Sequence, residues 1–384
     1  MSHDKTATTA VRAGIDSDTQ HGAVVPPIYL TSTYSFAGFD EKRQFDYSRS
    51  GNPTRNMLGA AMADLEKGAH GVVTACGTAA CHLATMLLDA GDLLVIPHDC
   101  YGGTYRLFTN LAAKGHFRLE IVDQHDEVAL AKALAQKPKM VWVESPSNPL
   151  MRLVDIAKIS ELSHQVDALV VVDNTFMSPA LQQPLTLGAD LVVHSTTKFV
   201  NGHSDVVGGC LIAKSEEIGE QIAWWSNCIG VTGAPFDSYL TLRGIRTLLP
   251  RIRQHEENAK VLVEVLGQHP KVSAVHYPGL ESHPSHELAK RQQFGFGGMV
   301  AFELDASLKE VKEFLAALKL FCLAESLGGV ESLIAHPATM THAAMDESAR
   351  LAAGITDNLL RLSVGIEHVD DLKADLDAAF AAIA

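Results

Sequence analysis

The chain has 384 residues, which is too long for one ordinary hydrophobic core and suits two domains. Its 47% apolar and 20% charged residues are those of a packed globular protein, which excludes extended disorder. A formal net charge of −14 repels phosphate backbones and anionic lipid surfaces, so neither nucleic acid nor a membrane is an expected partner.

The polar start, Met1 to Thr9, lacks the apolar stretch of a signal peptide. No apolar run reaches the ~18–20 residues that span a bilayer, so a cytoplasmic protein is expected. Residues 1–58 read as an irregular arm. Val24-Val25-Pro26-Pro27 cannot lie inside a helix, because proline lacks an amide donor and restricts the residue before it. Asp46 to Thr54 is polar, rich in turn formers and long for a simple loop, which points to function or to contact with another subunit.

From residue 59 the pattern alternates. Met57 to Glu66 reads as a helix, and Gly77-Thr78-Ala79-Ala80 opens a second that runs to Leu88. Short apolar runs follow at Leu93–Ile96, Leu119–Val122, Met140–Val143, Ala168–Val172 and Leu191–Val193, with a helix at Ile156–Val166. The runs are continuous rather than alternating, as expected of strands covered on both faces. Burial of each such Val or Leu contributes roughly 1.5–3 kcal/mol. The repetition predicts an α/β fold with a mainly parallel sheet between helices over 59–255. After Arg251 the texture changes. A long amphipathic helix at Gln254–Leu266, a strand at Gly298–Leu304 and helices at Leu308–Leu318 and Val369–Ile383 predict a smaller C-terminal α+β domain over 256–384.

The cysteines at 76, 81, 100, 210, 228 and 322 are scattered, with no Cys-x-x-Cys, and read as small side chains rather than metal ligands. His283 and His286 in His-Pro-Ser-His read as a loop, so no metal is expected.

Ligands of open α/β sheets bind beyond the carboxyl ends of the strands. Three runs end there in polar clusters: Glu144-Ser145-Pro146-Ser147-Asn148, Asp173-Asn174-Thr175 and His194-Ser195-Thr196-Thr197-Lys198. A lysine at a buried strand end loses hydration and its pKa falls, and a neutral amine can condense with an aldehyde. Asp173 could hold the proton on a pyridinium nitrogen. The hydroxyls of Ser195 and Thr197 could face one phosphate, with the amides of Gly77 and Thr78 at a helix start. Tyr101 could stack on a flat ring. Together these residues describe a phosphate-tailed aromatic aldehyde. Each has a plainer reading: Lys198 a surface lysine, Asp173 a turn carboxylate, Ser195 and Thr197 helix caps, Arg49 a solvated arm residue. Ser195-x-x-Lys198 also matches the nucleophile motif of serine acyl-enzymes, although the accompanying Ser-Asp-Asn and Lys-Thr-Gly are missing.

Several long stretches in order resemble the Cys/Met-metabolism group of fold-type I pyridoxal phosphate enzymes. They are Tyr47-Ser48-Arg49-Ser50-Gly51-Asn52-Pro53-Thr54, Asp99 to Arg106, Glu144 to Pro149, Val172 to Thr175, His194 to Lys198 and Leu323 to Gly329. The resemblance implies pyridoxal phosphate held by Lys198, paired with Asp173, stacked on Tyr101 and bound at its phosphate by Gly77, Thr78, Ser195 and Thr197. It implies that Tyr47 and Arg49 reach that phosphate from a neighbouring subunit in a homotetramer of paired active dimers. It implies that Arg361, with Asn148 and Ser326, clamps the α-carboxylate of an amino-acid substrate, that Arg106 meets its distal acid and that Glu325 influences the outcome. Ile229 to Gly233 and Ser238 to Gly244 are similar to the bacterial cystathionine-forming branch, which implies γ-replacement of the acyl group of O-succinyl-L-homoserine by L-cysteine. Ser50 matches instead the pattern of γ-elimination, which splits cystathionine to cysteine, 2-oxobutyrate and ammonia.

Overall fold

The computed structural model describes residues 3–343 and 347–383. Seven strands form the larger sheet: β1 (His70–Thr74), β2 (Leu93–Pro97), β3 (Arg118–Val122), β4 (Met140–Glu144), β5 (Leu169–Asp173), β6 (Leu191–His194) and β7 (Gly209–Ala213). Their order is β1-β7-β6-β5-β4-β2-β3, and only β7 runs against its neighbours. The central strands are covered on both sides. Val141, Val143, Val170, Val172 and Val192 enter one core, while Met140, Trp142, Val171, Leu191 and Val193 enter the opposite one. That alternation explains why the sequence shows unbroken apolar runs here. β3 differs from the expectation. It is the edge strand, and only Val122 of its five residues is buried.

Five strands form a second sheet: β8 (Val272–His276), β9 (Met299–Leu304), β10 (Cys322–Leu323), β11 (Leu333–Ala335) and β12 (Leu359–Ser363), in the order β10-β11-β12-β9-β8. Helices Leu248–Gln268 and Val369–Ala381 bury Leu262, Leu266, Leu372 and Leu376 against Val300, Phe302, Leu360 and Leu362. The first of these helices begins before the expected Gln254. Its Pro250 lies in the first turn, where the missing amide has no intrahelical partner to lose.

The arm is less irregular than its sequence suggests. α1 (His3–Arg12) sets Ala10 into the main core. α2 (Pro53–Glu66) starts ahead of the expected Met57, because Asn52 accepts from the amides of Thr54 and Arg55 and Pro53 takes the first position. Between them the chain is held by turns and by a bridge from Thr33 to Tyr47. Among the described residues no helix is long and apolar enough to cross a membrane.

Candidate active site

β4, β5 and β6 lie side by side, with Glu144 beside Asp173 and Asp173 beside Val193. Their carboxyl ends open on a cavity of about 400 Å³, within the range of small-molecule sites. Gly77, Thr78, Tyr101, Glu144, Asn148, Asp173, Ser195, Thr197, Lys198, Glu325, Ser326 and Arg361 all line it. The three polar strand ends therefore meet as expected, and the opposite wall comes from Ser326 in the loop after β10 and from Arg361 on β12 of the smaller sheet.

Lys198 sits in a run of turns after β6, so Ser195 and Thr197 cap no helix. Its Nζ donates to Ser326 Oγ at 2.7 Å. Burial first, and then the charge of Arg361, lowers its pKa to about 8, against a smaller opposing pull from Glu325. The lysine bonds Ser326 rather than Ser195, which leaves the serine acyl-enzyme reading without its nucleophile–base contact. Ser326 has φ +96°, a strained value for a residue with a side chain. In that pose its hydroxyl meets Lys198 while its carbonyl accepts from Arg361 Nη2 at 2.8 Å. Arg361 Nη1 donates to Asn148 Oδ1 at 2.9 Å. The guanidinium is buried, its Nε has no partner among the described residues, and burial lowers its pKa to about 10. A buried cation held only by neutral acceptors is prepared for an anion.

Asp173, half-buried at the end of β5, and the buried Glu144 are adjacent carboxyls. Burial raises both, and Asp173 pushes Glu144 further up, well above the usual range. Asp173 accepts from the Thr175 amide at 3.0 Å, a bond that favours its charged form. Glu144 also accepts from the Tyr101 amide at 2.8 Å and so places that residue at the cavity. The Tyr101 ring lies against Gly103, where an added Cβ would come within 2.4 Å of it.

A cup closes the other end. The N-cap Cys76 of α3 (Gly77–Thr85) receives the Ala79 amide on its sulfur, while the Gly77 and Thr78 amides have no partner among the described residues. A Cβ on Gly77 would lie 2.7 Å from Ser195 Cβ, so only glycine leaves the cup open. Thr175 Oγ1 accepts from the Ser195 amide at 2.9 Å, and Thr197 Oγ1 is tied to Gly208. Free amides at a helix start beside hydroxyls suit a phosphate. The cup, the Asp173 carboxyl at the end of β5 and the lysine with lowered pKa fit the aromatic aldehyde phosphate expected from the sequence.

Three expected residues stand outside the cavity of their own chain. Arg106 is exposed on α4 (Gly102–Ala113), close enough for its charge to act on Tyr101. Tyr47 and Arg49 are exposed on the arm, with Arg49 5.5 Å above the Tyr47 ring and bonded to Asn227 at 3.0 Å. The roles of Thr175 and Glu144 were only half visible in the sequence, as polar residues at strand ends. His283 and His286 make local loop contacts. No group of three or more His, Cys, Asp or Glu is gathered for a metal among the described residues.

The model of the family described as Cys/Met metabolism PLP-dependent enzyme matches residues 7–381. The chain is 59% identical over 379 residues to cystathionine gamma-synthase of Escherichia coli, covering 98% of each. It is 48% identical over 374 residues to cystathionine beta-lyase of Coxiella burnetii, covering 97% of each. The crystal structure of cystathionine gamma-synthase from Xanthomonas oryzae pv. oryzae in complex with cystathionine superimposes with a TM-score of 0.97 at 58% identity, covering 98% of each chain.

Proposed function

We propose a reaction from the premise that this chain belongs to the Cys/Met-metabolism family of pyridoxal phosphate-dependent enzymes. It is a pyridoxal phosphate-dependent enzyme of fold type I, and its activity is that of a cystathionine γ-synthase. The net reaction exchanges the acyl oxygen at Cγ of O-succinyl-L-homoserine for the sulfur of L-cysteine, giving L-cystathionine and succinate. The observation that carries the reading is one cavity holding Lys198, with its pKa of about 8, together with the buried Arg361, which bonds only neutral acceptors among the described residues.

When bound, pyridoxal phosphate supplies an electron sink for charge that develops on the substrate carbon skeleton. The chain's own residues do the rest. Arg361 receives the substrate α-carboxylate in a bidentate pair, with Asn148 and Ser326 fixing its plane. Lys198 Nζ takes the Cα proton and then one Cβ proton as the acyl oxygen leaves Cγ, and it returns protons to Cβ and Cα once the cysteine sulfur, having shed its own proton, has bonded to Cγ. A pKa near working pH lets one amine serve as base and then as acid. Asp173 holds the proton on the ring nitrogen, Tyr101 covers the ring, and Gly77, Thr78, Ser195 and Thr197 bind the phosphate. Tyr47 and Arg49 complete the phosphate site of a neighbouring subunit, Arg106 meets the distal acid of the substrate, and Glu325 at the cavity rim influences the outcome. The protein works in the cytoplasm as a homotetramer of paired active dimers. It is organised as an arm (1–58), a cofactor domain (59–255) and a C-terminal domain (256–384).

A second reading, γ-elimination from cystathionine, is favoured by Ser50, whose hydroxyl turns back to Asp46 and the Tyr47 carbonyl. Purified enzyme would be given O-succinyl-L-homoserine with and without L-cysteine, and L-cystathionine alone, with products identified by mass. Cystathionine formed only with cysteine is the expected result. Cleavage of cystathionine with little synthesis would replace the γ-replacement reading with elimination.

A further inference from the structure

Behind the cavity wall one buried hydrogen-bond network joins all three polar strand ends. Glu66, the last residue of α2, is fully buried, and so are His194, Asn174 and Gln182. None of the four lines the cavity. Glu66 Oε1 accepts from His194 Nε2 at 2.5 Å and from Asn174 Nδ2 at 2.8 Å. His194 directly precedes Ser195, and Asn174 directly follows Asp173. Asn174 Oδ1 accepts from Gln182 Nε2 at 3.0 Å, and the same Nε2 donates to the carbonyl of Ser145, next to Glu144, at 2.7 Å. A buried carboxylate is costly and persists only where its partners compensate for lost water. This one spends both of its bonds on the neighbours of cavity residues, while its Oε2 and His194 Nδ1 have no partner among the described residues.

We propose that Glu66 is a positioning residue of the cofactor site. By gripping His194 and Asn174 on one oxygen, it fixes the distance between Asp173 on β5 and the Ser195–Lys198 turn after β6. The ring-nitrogen contact and the phosphate contacts are then presented on one rigid wall. The inference rests on the assignment of Asp173, Ser195 and Lys198 to the cofactor.

The test uses full-length protein freed of cofactor and titrated with pyridoxal phosphate, followed by its visible absorbance, with melting temperatures of the free and loaded forms. Glu66→Gln keeps an oxygen that can accept both bonds, whereas Glu66→Ala removes both. Glu66→Ala is expected to weaken cofactor binding about tenfold or more, as loss of supporting contacts around a bound group does, and to narrow the gap between free and loaded melting temperatures. Glu66→Gln is expected to bind within about threefold of the parent, since the hydrogen bonds rather than the charge set the spacing. Equal loss of melting temperature in both forms of Glu66→Ala, with an unchanged dissociation constant, would overturn the proposal. Weakening in Glu66→Gln as large as in Glu66→Ala would overturn it as well. If Glu66→Ala does not fold, Asn174→Ala, which frees β5 but leaves the Glu66–His194 bond, is expected to show the same weakening, and an unchanged constant there counts against the idea. A parent protein that fails to bind pyridoxal phosphate would instead remove the cofactor assignment itself.

Discussion

Lys198 shows how one side chain's surroundings set its chemistry. Only the neutral amine can condense with an aldehyde, and burial beside Arg361 brings its pKa from 10.5 to about 8. In cofactor-free protein, capture of pyridoxal phosphate should therefore quicken about tenfold per pH unit below pH 8 and level off above it. Stopped-flow absorbance reads this directly, and a rate still climbing at pH 10 would mean an unshifted lysine. The linkage has a definite sign. Between about pH 8 and 10.5 the unfolded chain keeps the proton that the folded chain has shed, so this group makes cofactor-free protein more stable as pH rises through that window. Arg361→Lys should raise KM for the amino-acid substrate about tenfold or more, because an ammonium cannot make the paired contact. Steady-state kinetics would show it, and an unchanged KM would place the α-carboxylate elsewhere. The residues differ in how visible they were beforehand. Lys198 and Asp173 follow apolar runs and stand out from position alone. Arg361 lies within a strand of the smaller sheet with no local signature, and only resemblance pointed to it. Glu66 carries a signal in its spacing: it continues the buried stripe of Leu58 and Met62 at helical intervals, where a carboxyl group is out of place.

Among the elements, α2 carries more than packing. It begins at the arm, ends at Glu66 and lies on β1 with two glycines facing each other. A Cβ at Gly59 would come within 2.3 Å of the Gly71 carbonyl, and one at Gly71 within 2.2 Å of the Gly59 carbonyl. Both obstacles are backbone, so Gly59→Ala must push the helix off the strand, at a cost of about 1–3 kcal/mol. Its melting temperature should fall, and cofactor binding should weaken with it because Glu66 moves. Gly267→Ala is the control. It meets nothing within 4 Å in the last turn of helix Leu248–Gln268, and it should be neutral or stabilising by up to about 1 kcal/mol. Scanning calorimetry separates the two, and equal melting temperatures would show that α2 can retreat freely. The same physics decides which elements the sequence revealed. β4, β5 and β6 were plain because burial on both faces demands unbroken Val and Leu. β1 and β7 were not, since Gly71 interrupts one and the small residues Gly209, Cys210 and Ala213 dilute the other. α1 is Thr-rich, a poor helix former on its own, and gains its order where Ala10 docks in the core.

For the whole molecule, the question is what covers the arm. Val24, Leu30, Phe36 and Phe39 are exposed along it in a single chain, together with Tyr47. An apolar stretch of this extent on a protein surface marks an interaction site. Arg49 lies in a second cavity with Arg55 and Asn227, separate from the one that holds Lys198. If the arm completes a neighbour's phosphate site, each active site draws Lys198 from one subunit and Tyr47 with Arg49 from another. Two defective chains should then repair each other. Lys198→Ala should be inactive, and Arg49→Ala should lose at least about tenfold through weakened cofactor binding. In a dimer that contains one of each, one site carries both lesions and the other carries neither. Equal mixing with random pairing makes half of the dimers mixed, so about a quarter of all sites should be intact and about a quarter of parental activity should return. Co-expression of the two variants with different tags, followed by activity measurement on doubly purified material, removes the assemblies built from one variant alone. In a tetramer of paired dimers the mixed dimers still share particles with pure ones, so about two-sevenths of the sites should work and about that share of the parental value per subunit should return. Activity no greater than the average of the two pure variants would mean that Arg49 serves its own chain or another surface. The exposed arm would then need a different partner.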